Sequence, residues 1–331
     1  MKKYSFYILI ISFSFISCYK DLDLEKYRPE PKIVLNSVVS PDTVIMASVS
    51  KTVFFTDIKE RNISINDATV SLYINNEFKE TMLWVDNDKL PNKGIYMSNI
   101  KPHTGDLIKI VASSSLGEVW AEDKMPDQIP IQNIKMTYRT ISDPNSVITN
   151  PDGSVTTAKK YEIMYHITFT DDIKSKNYYC IKIENLNVYQ PLGLIDYSLD
   201  EVFKAQQSFI DGTSTNKLIE GQGGRTFSDD IINGKTYTMI IRETSESYNY
   251  EWGKNLYRKI NLFSVSESYY KYLTALLNLN DNNTTQDLTD IGLAEPTPFF
   301  SNINGGVGIM GSVQNEYKFI DLRSLFPDYW E

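Results

Sequence analysis

The sequence predicts a mainly β protein that is built from two successive domains. A chain of 331 residues is long enough for about two domains. Apolar residues make up 41% of it and include 22 tyrosines and 15 phenylalanines, which is enough side-chain volume for sizeable cores. Apolar and polar residues alternate in short segments that turn residues separate, and this period of two is typical of half-buried strands.

We therefore expect residues 31–126 to form a β-sandwich domain and residues 131–331 to form a larger β-rich sandwich or barrel with one or two short helices. In the first domain, strands are predicted at residues 33–38, 43–53, 68–74, 78–85, 94–99, 106–113 and 118–123. Asn75-Asn76 is expected to form a turn after the third strand, and the turn at Ser115-Leu116-Gly117 is expected to close a hairpin. Seven short strands without a helical period favour a sandwich of immunoglobulin or transthyretin type.

The second domain follows a predicted linker at residues 126–130. Its predicted strands cover residues 131–141, 161–170, 178–189, 236–243, 256–265, 306–313 and 317–322, with a turn at Pro151-Asp152-Gly153. Ser198-Leu199-Asp200-Glu201 is a capping box and predicts a short helix over residues 202–210. Ser264-Val265-Ser266-Glu267 is a second capping box, and it begins a longer predicted helix whose apolar residues are Tyr269, Tyr272, Leu273, Leu276 and Leu277.

Residues 1–17 have the pattern of a secretory signal peptide. Lys2 and Lys3 precede an apolar segment at residues 4–16, and a basic start followed by about 7–15 apolar residues is typical of such signals. The segment is too short to cross a bilayer, because a spanning helix needs about 20 apolar residues. We therefore expect export followed by cleavage.

Cleavage is expected immediately before Cys18, because Phe15-Ile16-Ser17-Cys18 resembles the lipobox of bacterial lipoproteins. In such proteins the cysteine becomes the new N-terminus and carries acyl chains, palmitate among them. Several chains together anchor a protein stably in a membrane. Residues 18–30 would then be a lipidated tether. An uncleaved signal with a chance cysteine is the alternative.

Lys20, Asp21 and Asp23 lie just after the expected lipidation site. A lysine and acidic residues at this place resemble the surface-export signal of Bacteroidota lipoproteins. This resemblance implies an outer-membrane protein that faces the cell exterior. An ordinary solvated tether is the alternative interpretation of the same residues.

Charge and cysteine content exclude some partners and some kinds of stabilisation. The net charge is −9, and removal of Lys2 and Lys3 leaves 31 basic against 42 acidic side chains, a net charge of −11. An acidic protein repels phosphate backbones, so no nucleic-acid partner is expected. With Cys18 lipidated, Cys180 is left without a disulfide partner, and in its strand-like run it is expected to act as a buried small hydrophobe.

No pattern in the sequence supports a catalytic, cofactor or metal site. Residues 306–311 fit the dinucleotide fingerprint literally, but a turn-rich stretch precedes them and no helical period follows. Close strand packing is the expected role of these glycines. The two histidines, His103 and His166, are too far apart in sequence for an H-E-x-x-H metal site. Nothing pairs two carboxylates as acid and base.

Aromatic residues crowd the second domain, and Tyr248, Tyr250 and Trp252 lie in a stretch with little strand character. Tyrosine and tryptophan are enriched at interfaces because they combine an apolar body with a polar tip. These three residues are therefore the candidate binding aromatics. Ordinary placement in the core or on a strand surface is the alternative.

Six stretches together resemble a family of Bacteroidota outer-membrane lipoproteins that is defined only as domain of unknown function 4249. They are residues 31–36, 39–42, 67–73, 227–237, 266–273 and 295–308, the last of which reads Glu-Pro-Thr-Pro-Phe-Phe-Ser-Asn-Ile-Asn-Gly-Gly-Val-Gly. The family has no established activity or catalytic residues. Its members resemble accessory lipoproteins that accompany TonB-dependent outer-membrane transporters, and such a β-barrel is the partner that the resemblance implies.

Three functions are therefore compatible with the sequence. The first is a non-catalytic surface lipoprotein that binds a ligand or accompanies such a transporter in nutrient uptake. The second is a surface hydrolase of glycans or peptides whose carboxylates only folding brings together. The third is a structural or adhesive surface module. The sequence identifies no ligand and no cofactor.

Overall fold

The structure, a computed structural model, describes residues 24–54, 57, 63–89, 93–186, 194–203, 224–244, 257–281 and 300–325. The described part of the protein is mainly β, which confirms the predicted class. The strands of the described residues form one sheet of 11 strands and one sheet of four strands. The immunoglobulin or transthyretin type of the first sandwich stays a prediction.

Seven strands precede the linker: β1 (Ile33–Val39), β2 (Met46–Lys51), β3 (Thr69–Ile74), β4 (Glu77–Asp86), β5 (Gly94–Met97), β6 (Leu107–Ser114) and β7 (Gly117–Lys124). In the larger sheet they follow the order β1-β2-β5-β4-β3-β6-β7. Asn75 and Asn76, with φ of 55° and 67°, form the tight turn between β3 and β4. Gly117, with φ of 118°, ends the turn between β6 and β7. The predicted turn and the predicted hairpin are therefore both present.

The first seven strands surround one core, whose buried side chains include Leu35, Val49, Leu72, Tyr96, Ile110 and Ala121. The sheet closes where β7 meets the segment before the last strand. There Trp120 and Asn304 exchange two backbone hydrogen bonds, of 3.1 and 2.8 Å. The closure makes this part of the sheet sandwich-like, because its two ends then lie over one shared core.

The remaining strands are β8 (Ile131–Thr149), β9 (Val155–Thr170), β10 (Tyr178–Asn185), β11 (Leu194–Asp196), β12 (Arg225–Ser228), β13 (Thr236–Thr244), β14 (Tyr257–Val265) and β15 (Val307–Asp321). The four-stranded sheet has the order β11-β13-β9-β8, and the larger sheet continues from β1 as β15-β14-β10-β12. The helix α1 (Glu267–Asp281) lies between β14 and β15 in sequence, as predicted. Two short 3₁₀ helices cover Leu24–Tyr27 and Leu322–Leu325.

The four-stranded sheet packs on the β12-β10-β14-β15 part of the larger sheet. The second core lies between them and includes Ile163, Ile167, Phe169, Tyr179, Ile181, Met239, Ile260 and Leu262. Strands β8 and β9 are longer than the sequence predicts, by residues 142–149 and 155–159. These two extensions pair with each other and not with β13. Of the predicted short helix, Val202 and Phe203 are helical, and residues 204–210 lie outside the described part of the chain.

A buried ion pair joins the two sheets inside the second core. Arg258 of β14 donates to Glu243 of β13 through Nη2 and Oε1 at 2.7 Å, and Tyr165 of β9 donates to the other carboxylate oxygen at 2.5 Å. Burial opposes the charge of Arg258, but the charge and the hydrogen bonds of Glu243 raise its pKa. A buried pair of this kind fixes one geometry, because removal of either partner leaves an uncompensated charge.

The last strand, β15, belongs to both halves of the molecule. Its first residues pair in parallel with β1, from Val34 with Val307 to Val39 with Ser312. Its remaining residues pair antiparallel with β14. The two strands predicted at residues 306–313 and 317–322 are therefore one strand. Met310 lies in the first core and Ile320 in the second. The predicted domain boundaries at residues 126 and 131 stay predictions.

Glycines allow β15 to approach its neighbours, which is the structural role that the sequence predicts for residues 306–311. Gly308 has φ of 120°, and a Cβ there would collide with the backbone oxygen of Leu35. A Cβ on Gly311 would lie 2.7 Å from the Cβ of Tyr269 in α1. Neither a helix nor a phosphate loop follows these glycines, since β15 continues through them.

The chain divides into a small unit, Met1–Pro31 with Val53–Arg61, and a large unit, Lys32–Thr52 with Asn62–Glu331. In the described part of the small unit, Arg28 pairs with both Glu25 and Asp57. Its guanidinium also lies 5.0 Å from the centre of the Phe54 ring. Through these contacts of Arg28, the end of the predicted tether is held against residues 54 and 57. All strands and α1 belong to the large unit.

We predict that Gly308→Ala destabilises the protein more than Gly153→Ala does. Both glycines have positive φ, but a Cβ on Gly153 meets no atom within 4 Å, whereas one on Gly308 meets the Leu35 backbone. Backbone strain alone costs about 1 kcal/mol, and forced overlap adds roughly 1–3 kcal/mol. Urea unfolding of the two variants measures the difference. Equal losses of stability would show that β1 and β15 do not meet so closely.

Candidate functional site

A polar cleft lies where the end of β7, the start of β10 and the start of α1 come together. Residues 123–127, 175–179 and 264–268, with Gly105, line it, and we call it the junction cleft. Its volume is about 380 Å³, which falls within the range of about 300–1,000 Å³ that is usual for ligand sites. All three segments belong to the large unit.

Asp123, near the end of β7, is the most unusual group in the junction cleft. The residue is only 8% exposed, and its Oδ2 atom has no hydrogen-bond partner among the described residues. Burial raises the pKa of this carboxyl to about 6, although the nearby hydroxyls of Ser266 and Ser312 limit the rise. A buried carboxylate oxygen without a partner is costly, so it is a candidate for contact with a ligand.

The wall around Asp123 is held by the first turn of α1. The Ser266 hydroxyl oxygen accepts the backbone N–H of Tyr269 at 3.3 Å, which makes Ser266 the N-cap. It also accepts the N–H of Ser312 at 3.1 Å, and the Ser266 N–H donates to the Ser312 carbonyl at 2.9 Å. The predicted capping box placed Ser264 at this position. The N-cap lies two residues later because β14 continues to Val265.

The other wall of the cleft is fixed by two buried carboxylates, Asp171 and Asp229. Lys176 pairs with Asp229 at 3.1 Å and also with Asp230, and these contacts raise its pKa. Asp229 is fully buried and accepts the backbone N–H of Asn177 at 2.7 Å. The Asn177 amide in turn donates to Asp171 at 3.2 Å. The segment before β10 therefore has one conformation, and its polar groups have defined positions.

The remaining charges of the junction cleft balance only in part. Glu267 pairs with Lys271 at 2.7 Å, one helical turn away. The carboxylates of Asp123 and Asp127 and the cation of Lys124 also line the cleft. Serine hydroxyls and the Tyr178 ring complete the lining. The cleft thus offers hydrogen-bond acceptors beside an aromatic surface, which suits a ligand with hydroxyl or ammonium donors.

The site residues predicted from the sequence lie outside the described part of the chain. This applies to Cys18, Lys20, Asp21 and Asp23 at the N-terminus and to the candidate aromatics Tyr248, Tyr250 and Trp252. They therefore stay predictions.

Cys180 lies on β10, and burial of its thiol raises its pKa to about 12. It is therefore a protonated thiol at neutral pH, and the residue is half-buried, whereas the sequence predicts a buried small hydrophobe. His103 is largely exposed and lies 3.6 Å from Asp106, and His166 lies on β9. Neither histidine lines the junction cleft.

Sequence reasoning missed Asp123, although the sequence carries a signal for it. Val119, Ala121 and Met125 share one face of β7 and its extension, and all three are buried. Asp123 lies at the same parity, so the alternation alone places a carboxylate on an apolar face. An acidic residue is rarely buried without a partner, and this position therefore stands out once the strand is assigned.

Two features are absent from the described part of the chain. No group of three or more His, Cys, Asp or Glu side chains in that part of the chain has a geometry that holds a metal ion. None of its helices combines the length and the apolar character that crossing a bilayer requires.

Comparison with known proteins places the chain in a family. The family model described as domain of unknown function (DUF4249) matches residues 20–318. The chain belongs to this family. The resemblance found in the sequence is therefore confirmed at the level of the family, and the Bacteroidota origin stays an expectation. No curated protein matches the chain significantly.

One solved structure is similar to this DUF4249 chain over much of its length, a crystal structure described as that of a membrane anchored protein from Corynebacterium diphtheriae. The identity is 11% and the TM-score 0.18, with 90% of this chain and 61% of that chain covered. The chain thus spans less than two thirds of that protein. A TM-score at this level carries no argument about fold or function.

We predict that the free energy of unfolding of the wild type, relative to that of Asp123→Asn, falls as the pH rises from about 4 to 6. The folded carboxyl has a pKa of about 6 against 3.8 in the unfolded chain. The folded state therefore binds more protons in this window, and stability is lost until the group is ionised, by at most about 3 kcal/mol. Urea midpoints at pH 4, 5, 6 and 7.5 measure this effect.

Asp127→Asn is the matched control, because Asp127 lies in the same cleft but is exposed. It should keep the pH dependence of the wild type. A difference in stability between the wild type and Asp123→Asn that does not change between pH 4 and 6, or an equal effect of the two substitutions, would contradict the burial of an ionisable Asp123.

Proposed function

We propose that the protein is a non-catalytic lipoprotein of the outer membrane, anchored through Cys18 and facing the cell exterior, that binds a small polar ligand in the junction cleft. We further propose that it serves as the accessory partner of a TonB-dependent outer-membrane transporter in nutrient uptake. The buried, unpartnered carboxylate oxygen of Asp123 in the wall of the cleft is the observation that carries the binding function.

Support for the anchor comes from the sequence. A basic start, a short apolar segment and Cys18 at its end have the pattern of a lipoprotein signal. Anchoring through acyl chains would need no membrane-spanning helix, because several chains together bind a bilayer stably. The transporter partnership rests on the resemblance of the family to accessory lipoproteins.

Support for ligand binding comes from the chemistry of the cleft. A ligand hydroxyl or ammonium group that displaces the groups covering Oδ2 of Asp123 would supply a hydrogen bond to an oxygen that has no partner among the described residues. Serine hydroxyls lie at the same cleft and can orient such a ligand. An ammonium group would gain further from the negative charge of Asp123, which is present above a pH of about 6.

A surface hydrolase of glycans or peptides is the second candidate, and one observation favours it. A carboxyl with a pKa of about 6, such as Asp123, is suited to general acid or base catalysis near neutral pH. Glu267 lines the same cleft, but its carboxylate is engaged by Lys271. Release of product from glycan or peptide libraries, lost in Asp123→Asn, would favour this function over simple binding.

The anchor and the partnership can be tested in one fractionation. Tagged wild-type protein should remain on washed envelopes, and after detergent extraction it should bring a TonB-dependent β-barrel with it. Cys18→Ala should appear in the soluble fraction and recover much less of the barrel, because it lacks the acyl chains. Envelope binding of Cys18→Ala as firm as that of the wild type would contradict the anchor. Recovery of the wild type alone would contradict the partnership.

The binding function is tested by thermal shift against monosaccharides, amino acids and dipeptides at pH 7.5. At least one of these ligands should raise the Tm of the wild type and of Asp127→Asn but not that of Asp123→Asn, because only the last loses the carboxylate. A ligand with an ammonium group should also bind more weakly at pH 5, where Asp123 is protonated. Equal shifts in Asp123→Asn and the wild type would exclude the junction cleft as the site.

A further inference from the structure

The C-terminal half of β15 lacks a neighbour that its N-terminal half has. From Val307 to Ser312, β15 pairs with β1 on one side. From Val313 to Asp321, it pairs with β14. The order β14-β15-β1 places these two neighbours on opposite sides of β15. Residues 307–312 of β15 face β1 on one side. Beyond Ser312, that same side of β15 has no neighbour among the described strands and is therefore an open edge.

The direction of the backbone groups along this edge follows from three hydrogen bonds. Ile309 donates its N–H to the Asn36 side chain of β1 at 3.1 Å, so it faces the β1 side. Ser312 donates to Ser266, which continues β14, so it faces the opposite side. The carbonyl of Asn315 accepts the Gln128 side chain at 3.0 Å, again away from β14. Beyond Ser312, the backbone N–H and C=O groups of the odd-numbered residues of β15 therefore point to the open edge.

By the same alternation, the backbone N–H and C=O groups of Tyr317 and Phe319 point to the open edge. No strand among the described residues pairs with them there. Phe319 is also 61% exposed. A row of backbone donors and acceptors of this kind is the surface on which another strand can be added.

A groove with both apolar and polar lining residues lies beside this edge. It has a volume of about 360 Å³ and is lined by residues 131–134 and Met136 of β8 and by residues 318–321 of β15. Ile134 and Met136 are half-buried and pack against the second core. Strand β8 is itself the edge of the four-stranded sheet, with β9 as its neighbour. The groove therefore runs along the side of the second sandwich, between two strand edges.

We propose that an extended segment of another polypeptide binds in this groove as an added strand beside Tyr317 and Phe319 of β15. An extended backbone alone offers donors and acceptors that alternate with the spacing of Tyr317 and Phe319. The open edge matches about five or six residues at roughly 3.3 Å each. Apolar side chains at every second position of the segment contact Ile134 and Met136, as the inward side chains of β1 contact the first core.

The added strand would lie on the same side of β15 as β1, which pairs with residues 307–312. It thus extends an interface that the fold already contains. The groove is distinct from the junction cleft, since no residue lines both. The proposal therefore does not depend on the ligand or on the transporter.

The test uses the mature chain with six-residue acetylated peptides in which valine, leucine or phenylalanine alternates with threonine. Each peptide is prepared unmodified and with N-methyl groups on either of the two alternate sets of amides. Only one of these sets can face β15, so one methylated form should bind like the unmodified peptide. The other should bind at least about tenfold more weakly, because its donors to the edge are lost.

Amide hydrogen exchange gives the location. The peptide should slow exchange at Tyr317 and Phe319, whose N–H groups face the edge. It should leave exchange at Lys318 and Ile320 unchanged, because their N–H groups face β14. Met136→Glu places a charge in the groove and should abolish binding. Thr137→Glu, its neighbour on the exposed side of β8, should not. The exchange measurement on wild-type protein decides the matter even where Met136→Glu does not fold.

Three results would overturn the proposal. The first is that no peptide of the set changes exchange at Tyr317 or Phe319. The second is equal binding of the two methylated forms, since the edge then contributes no hydrogen bonds. The third is dimerisation of the protein that Met136→Glu abolishes and Thr137→Glu does not, because a second copy of this chain is then the occupant.

Discussion

The parallel ladder between β1 and β15 is the constraint on which the rest of the structure depends. It joins residues as far apart in sequence as Asn36 and Ile309, which are 273 positions apart and share a hydrogen bond of 3.1 Å. The ladder completes the first core, to which β15 contributes Met310. It also holds the other half of β15 as a wall of the second sandwich, so that both cores depend on one strand.

The junction cleft is a consequence of this arrangement. Ser312 lies at the last position of the β1 ladder, and its backbone bonds with Ser266 fix where α1 begins. Asp123 of β7 is thereby enclosed between two strands and a helix start, away from water and without a cation as partner. The raised pKa of Asp123 thus results from the closing of the first sandwich and from no local motif.

Local features of the fold were predictable, and non-local ones were not. The Asn75-Asn76 turn and the alternation of β6 and β7 are set by neighbouring residues, and so is the apolar face of α1 around Tyr269 and Leu273. The pairing of β15 with β1 has no local signal, because each strand alternates in the same way whatever its neighbour. The same holds for the cleft: the parity of Asp123 marks it as buried, but only the fold brings Lys176 to the opposite wall.

The separation of β1 and β15 along the chain also has a consequence for folding. Strand β1 begins at Ile33, but its parallel partner begins at Val307, so nearly the whole chain must be synthesised before the two can meet. Non-local pairings of this kind form slowly. Until then the edge of β1 is unpaired and the first core lacks Met310. The interval between synthesis of β1 and of β15 is therefore when the growing chain is most exposed to aggregation.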